Sequence, residues 1–147
     1  MKIFVIASAG GHWVQLLRLS PAFGGDECIY ASTKDSFQKF IPNNKFYCIK
    51  DFNRNNMLGI LRTSLKLFQI IRKEKPKVII TTGAAPGLVS LFIGKLLSKK
   101  TVWIDSIANV EELSMSGKIA SCFADRVYTQ WAHLSNNKIY FEGNVIA

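Results

Sequence analysis

Ile3-Phe-Val-Ile-Ala-Ser-Ala-Gly-Gly-His-Trp-Val-Gln-Leu-Leu17 is the stretch that decides the architecture. An apolar run of strand length passes through Gly10 and Gly11 into a helix that starts at His12. A strand apolar at every residue is covered on both faces, the habit of parallel sheets flanked by helices. Gly10 and Gly11 lack a Cβ, so the backbone can turn sharply and a ligand can approach the amides. The helix that follows offers unpaired N–H groups and the positive end of its dipole, which together favour a phosphate or diphosphate. Ser8 and His12 flank that spot. The same residues also fit a plain strand-to-helix turn with a solvated histidine, so the rest of the chain must decide.

The 147 residues, 48% of them hydrophobic, fit one domain with a substantial core. A net charge of +9, from 19 basic and 10 acidic residues, points to an anionic partner: a phosphate-bearing ligand, an acidic lipid surface or nucleic acid. Cys28, Cys48 and Cys122 are odd in number and widely spaced, and read as buried free thiols of a reducing compartment, neither a disulfide set nor a metal site. The opening Met-Lys runs straight into a strand without the pattern of a signal peptide, so a cytoplasmic protein is expected.

Downstream of the first helix, which should end near Pro21, strands are expected at Glu27–Ala31 and Phe46–Ile49. The polar stretch from Lys50 to Asn56, with Asn53, Arg54 and Asn55, reads as a mobile loop. Met57 to Lys73 carries the strongest helical periodicity, with a wide apolar face and a narrow basic stripe of Arg62, Lys66 and Lys73. That pattern suits a helix buried against a sheet with a charged outer edge first, and also a helix resting on an anionic bilayer, and both can hold of different faces. The strand Lys77–Thr81 runs into Thr82-Gly-Ala-Ala-Pro-Gly87 and the apolar helix Leu88–Leu97, repeating the opening unit. Gly83, Ala84, Ala85 and Gly87 therefore form a second amide-rich pocket facing the first. That helix falls well short of the ~20 apolar residues needed to cross a bilayer.

The strand Thr101–Asp105 delivers Asp105 and Ser106 to its C-terminal end, where α/β sites are built, although an Asp after a strand is often a turn former or cap. A helix at Lys118–Ala124 and strands at Arg126–Thr129 and Lys138–Phe141 complete the alternation, and Gly143–Ala147 leaves the domain. The fold expected is a single Rossmann-like α/β domain over residues 1–147, with a parallel sheet of about six or seven strands and helices on both faces.

Three blocks resemble a known family: Ser8-Ala-Gly-Gly-His-Trp-Val-Gln-Leu-Leu17, Thr81-Thr-Gly-Ala-Ala-Pro-Gly87, and Ile104-Asp-Ser through Leu113-Ser-Met-Ser-Gly-Lys118 to Ala124-Asp-Arg-Val-Tyr-Thr-Gln-Trp131. They are similar to the acceptor-side subunit of split GT-B glycosyltransferases, which include PssD/CpsF-type exopolysaccharide proteins and the membrane-bound subunit of the dolichol-linked UDP-GlcNAc transferase. The resemblance extends to the N-terminal half of MurG. Two positions depart from the common family pattern, Asp105 standing for Glu and Asn109 for Arg.

The resemblance implies a two-chain inverting glycosyltransferase, without cofactor or metal, that moves a sugar from a UDP-sugar to a polyprenyl-diphosphate-linked saccharide in bacterial capsule, exopolysaccharide or O-antigen synthesis. A donor-binding GT-B partner subunit and a peripheral place on the inner face of the cell membrane follow from it. Such a reaction needs a base for the acceptor hydroxyl and stabilisation of the departing diphosphate. His12 is the candidate base, since imidazole titrates near neutral pH, and Asp105 is the alternative or the group that orients His12. Ser8, Gly10, Gly11, Gly83, Ala84, Ala85, Gly87, Ser106 and Asn109 are the candidates for holding the acceptor and its diphosphate.

A stand-alone nucleotide- or phosphate-binding module is the alternative. The opening lacks a full Gly-x-Gly-x-x-Gly pattern and no acidic residue closes the second strand, which counts against dinucleotides. The 12% of aromatic residues fall in core segments without basic interleaving, so nucleic acid is not expected as a partner.

Overall fold

A computed structural model describes residues 1–53 and 55–146. Its sheet comprises β1 (Lys2–Ile6), β2 (Glu27–Ser32), β3 (Lys45–Cys48), β4 (Val78–Thr81), β5 (Lys100–Ile104), β6 (Arg126–Tyr128) and β7 (Ile139–Tyr140). Their order is β3-β2-β1-β4-β5-β6-β7 and every pairing is parallel. The helices are α1 (Gly11–Leu19), α2 (Met57–Glu74), α3 (Ala85–Leu96) and α4 (Met115–Ala120), with 3-10 turns at Ser20–Phe23, Asp35–Phe40 and Ala132–Leu134.

The all-apolar reading of β1 follows from two cores. Phe4 and Ile6 point into one with Leu67, Ile70, Ile71 and Leu91 of α2 and α3. Ile3, Val5 and Ala7 point into the other with Trp13 and Leu16 of α1 and Tyr30 of β2. With period two along each strand, a single run of apolar residues supplies both faces. Chain progression reverses between β1 and β4, and at such a switch point the flanking loops splay apart and leave a crevice at the strand C-termini. The Gly10–His12 and Thr82–Ala84 loops are the loops that flank it here.

Several boundaries differ from the sequence expectation. The fourth helix spans Met115–Ala120, not Lys118–Ala124, because Ser114 Oγ accepts from the Gly117 amide at 2.9 Å and starts it early. The third helix begins at Ala85, with Pro86 in the first turn where a missing N–H costs nothing. Of the expected buried thiols, Cys28 is buried, Cys48 half-buried and Cys122 exposed. In the loop expected to be mobile, Arg54 lies outside the described residues, and Asn56 caps α2 by accepting from the Gly59 amide at 2.9 Å. The final segment is tied back to the domain by the Val145 amide, which donates to Gln130 Oε1 at 3.0 Å.

Candidate functional site

His12 and Thr82 clasp the two loops of the crevice together. His12 Nδ1 lies 2.9 Å from the Thr82 carbonyl oxygen, and Thr82 Oγ1 donates to the His12 carbonyl oxygen at 2.6 Å. A carbonyl only accepts, so Nδ1 carries a proton, and the tautomer this selects has its lone pair at Nε2. Nε2 makes no hydrogen bond among the described residues. The imidazole rests directly on Gly83, where a Cβ would sit 2.6 Å from His12 Cε1 and Nδ1. Gly83 also has φ +135°, a conformation that favours glycine. The sequence offered no separate signal for Thr82, one of several threonines at strand ends.

The helix termini divide into two kinds. Asn56 and Ser114 cap α2 and α4 with their side chains, whereas α1 and α3, which open on the crevice, have no side-chain cap. Their first N–H groups and dipole ends are left for an anion. Beside α1, Ser8 is 5% exposed and its Oγ has no hydrogen-bond partner among the described residues. The loop itself is pinned by the Ala9 amide, which donates to Thr33 Oγ1 at 2.9 Å. Before α3, Ala84 takes φ 70° and ψ 170°, a left-handed conformation that costs a side-chain-bearing residue on the order of 1–3 kcal/mol. Gly10 likewise has a positive φ of 95°. Gly87 is needed for packing instead, since a Cβ there would fall 2.1 Å from Thr81 Oγ1.

Asp105 has a different environment. It is 1% exposed, and its carboxylate accepts from Trp103 Nε1 at 2.9 Å, Ser114 Oγ at 2.6 Å, the Ser114 amide at 3.0 Å and Asn109 Nδ2 at 3.1 Å. Four donors occupy both oxygens, so the carboxylate organises the loop between β5 and α4. Orientation of His12, expected of Asp105, falls to the Thr82 carbonyl. Ser106 and Asn109, expected to touch the acceptor, spend polar atoms within the same loop: Ser106 Oγ accepts from the Ala108 amide at 3.2 Å, and the Asn109 amide group serves Asp105.

Along α2 the apolar face changes role. Thr63, Leu67, Ile70 and Ile71 are buried, whereas Met57, Leu58, Leu61 and Leu65 are exposed, Met57 at 68% and Leu61 at 64%. Beside them lies an apolar furrow of about 420 Å³ lined by Leu88, Phe92, Leu96, Ile119 and Phe123 among others. Arg62, Lys66 and Lys73 are exposed on the same helix, with Lys66 Nζ turned back to the Cys48 carbonyl at 2.5 Å. No helix among the described residues is long and apolar enough to cross a membrane.

This sheet order, with a crevice between two uncapped helices, is the fold of the N-terminal half of GT-B proteins. The chain superposes on MurG of Acinetobacter baumannii with TM-score 0.76 at 13% identity, covering 95% of this chain and 45% of that one. It superposes on the UDP-N-acetylglucosamine 2-epimerase of Rickettsia bellii with TM-score 0.75 at 13% identity, covering 99% and 45%. The chain thus spans less than half the length of these solved structures. Residues 3–144 match the family model described as oligosaccharide biosynthesis protein Alg14 like, and the chain belongs to that family. Relatives include the UDP-N-acetylglucosamine transferase subunit ALG14 of Homo sapiens, 28% identical over 99% of this chain and 83% of that protein. The protein of the same description from Eremothecium gossypii is 29% identical over 90% and 74%.

Proposed function

We propose that this chain is the acceptor-binding subunit of a two-chain inverting transferase that moves N-acetylglucosamine or a related hexose from its UDP-sugar to a polyprenyl-diphosphate-linked saccharide. The observation that carries the reading is the pair of helix N-termini without side-chain caps, on loops that the two His12–Thr82 hydrogen bonds hold together at the switch point. Two sets of free amides suit the two phosphates of a diphosphate, and the unpartnered Ser8 hydroxyl adds a neutral donor beside them. The relatives named as UDP-N-acetylglucosamine transferase subunits support the donor class and the need for a second chain.

In the reaction, His12 Nε2 takes the proton of the acceptor hydroxyl as that oxygen forms a bond to the anomeric carbon on the face opposite the leaving group. The bond from that carbon to the UDP oxygen breaks, and UDP departs with the electron pair. The Thr82 carbonyl accepts from Nδ1 throughout and favours the imidazolium that forms. Stabilising the departing UDP belongs to the partner subunit. Asp105 and Asn109 hold the loop beside the crevice and take no proton in this scheme.

The setting proposed is bacterial capsule, exopolysaccharide or O-antigen synthesis at the inner face of the cell membrane. The exposed apolar start of α2 and its basic residues would rest on the anionic surface there, close to the lipid-borne acceptor. The isolated chain should bind a short-chain polyprenyl diphosphate by calorimetry and show no binding of UDP. The opposite preference would return the crevice to a plain nucleotide site.

A further inference from the structure

Gln15 lies one turn beyond His12 on α1, is 3% exposed, and makes no contribution to the sugar-transfer scheme above. Its side-chain amide reaches the main chain beyond β5 at two points. Nε2 donates to the Asp105 carbonyl oxygen at 2.9 Å, and Oε1 accepts from the Ile107 amide at 3.0 Å. Only this orientation of the amide gives both backbone groups a partner of opposite kind. The Asp105 carbonyl and Ile107 amide present the donor and acceptor that a neighbouring strand would use, so one helical side chain extends the ladder where β5 has left the sheet.

We infer that Gln15 is a positioning residue of the transfer reaction, fixing the helix that carries His12 against the loop that follows β5. The inference rests on the transferase reading. With the His12–Thr82 clasp, the exits of β1, β4 and β5 become one cross-linked body around the crevice. The β5 loop is held from its other side as well, by Trp131 Nε1 donating to the Ile107 carbonyl oxygen at 2.9 Å. Ile107 is thus gripped through its amide by α1 and through its carbonyl by the segment after β6. Gln15 is the grip that connects this loop to the base. A bidentate amide suits the task, since it places a donor and an acceptor on two separate atoms, whereas a carboxylate only accepts unless protonated.

The test uses the assembled two-chain complex, its UDP-sugar and a short-chain polyprenyl-diphosphate-linked acceptor, with Gln15→Leu and Gln15→Glu. Gln15→Leu should lower kcat by ~10-fold or more with both KM values nearly unchanged, because misplacement of a base costs rate before binding. Gln15→Glu retains acceptance from the Ile107 amide, and donates to the Asp105 carbonyl only when protonated. Its kcat relative to the native complex should therefore rise between pH 8 and pH 6, while that of Gln15→Leu stays flat. His12 and Arg18 on α1 and Asp105 on the facing loop are present in all three proteins, and the ratio removes their titration. Hydrogen exchange of the Ile107 amide, read on the isolated chain, should accelerate in Gln15→Leu whether or not the complex transfers sugar, which separates this inference from the transferase reading. A native-like kcat in Gln15→Leu, a flat ratio for Gln15→Glu, or an Ile107 amide equally protected in both would each overturn it.

Discussion

His12 and Thr82, separated by 70 residues in sequence, hold one another through two hydrogen bonds of opposite direction, side chain to carbonyl each way. One bond fixes the imidazole tautomer and the other fixes the backbone that carries it. The switch point of the sheet makes this possible, because β1 and β4 are neighbours there although β2, β3 and α2 lie between them in the chain.

If His12 is the general base, His12→Ala in the assembled complex should reduce kcat by ~10²-fold or more while acceptor KM stays within a few-fold. His12→Gln should be equally slow, since an amide in the same place accepts no proton. Steady-state kinetics with near-normal turnover in either variant would leave His12 as a helix-start residue.

Gly83 should tolerate no side chain. In Gly83→Ala the new Cβ would fall 2.6 Å from the His12 ring, and the backbone would have to keep φ +135°. The imidazole must swing away and lose its bond to Thr82. Turnover should fall nearly as far as in His12→Ala, with the circular dichroism of a folded protein. Full activity in a folded Gly83→Ala would show that the imidazole position does not matter.

The exposed start of α2 should bind anionic vesicles. Basic side chains near such a surface contribute roughly 1 kcal/mol each. Replacing Arg62, Lys66 and Lys73 together by Glu should release the protein from phosphatidylglycerol vesicles in a sedimentation assay, with the circular dichroism of a folded protein. If the triple variant still sediments with the vesicles, α2 is an ordinary outer helix of the sheet.

Glu74, at the end of α2, is buried with Lys45 Nζ 2.7 Å away and the Tyr47 hydroxyl bonded to the same oxygen. Burial alone would raise its pKa, but the bonds from Lys45 and Tyr47 outweigh that and hold it below the ordinary 4.5. Burial and the bond to Glu74 in turn push the Tyr47 hydroxyl up to about 12. A carboxyl with a depressed folded pKa stabilises the fold above its unfolded value and loses that contribution as pH falls through the folded one. The melting temperature should accordingly fall below about pH 4.5, and Glu74→Gln should be less stable at pH 7 with a shallower acid decline. Parallel pH curves for the two proteins would remove Glu74 from the balance.

The parallel sheet and both amide-rich loops were legible in the sequence because apolar runs ending in Gly10-Gly11 and Gly83 leave few other structures open. The start of α4 was not, because Ser114 is one of several polar residues around Met115 and its capping role shows only with the Gly117 amide beside it. Asp105 could be placed at a strand end, but its four donors come from Trp103, Asn109 and Ser114, whose convergence depends on how the loop closes. Periodicity showed that α2 has a wide apolar face, suited to a bilayer or to a sheet, but not which part of it the sheet covers: Leu67, Ile70 and Ile71 are buried whereas Met57, Leu61 and Leu65 stay exposed. Thr82 and Gln15 act through contacts 70 to 92 residues away, which no local pattern carries.

The most direct measurement is transfer by the reconstituted pair. The chain, purified alone and with a donor-binding GT-B partner subunit, should be supplied with UDP-N-acetylglucosamine and a polyprenyl-diphosphate-linked sugar, and the product followed by mass spectrometry. The pair should extend the acceptor by one residue with inverted anomeric configuration, and neither chain alone should do so. Robust extension by this chain alone, or none by a pair that assembles and binds both substrates, would contradict its assignment as the acceptor half of a divided active site.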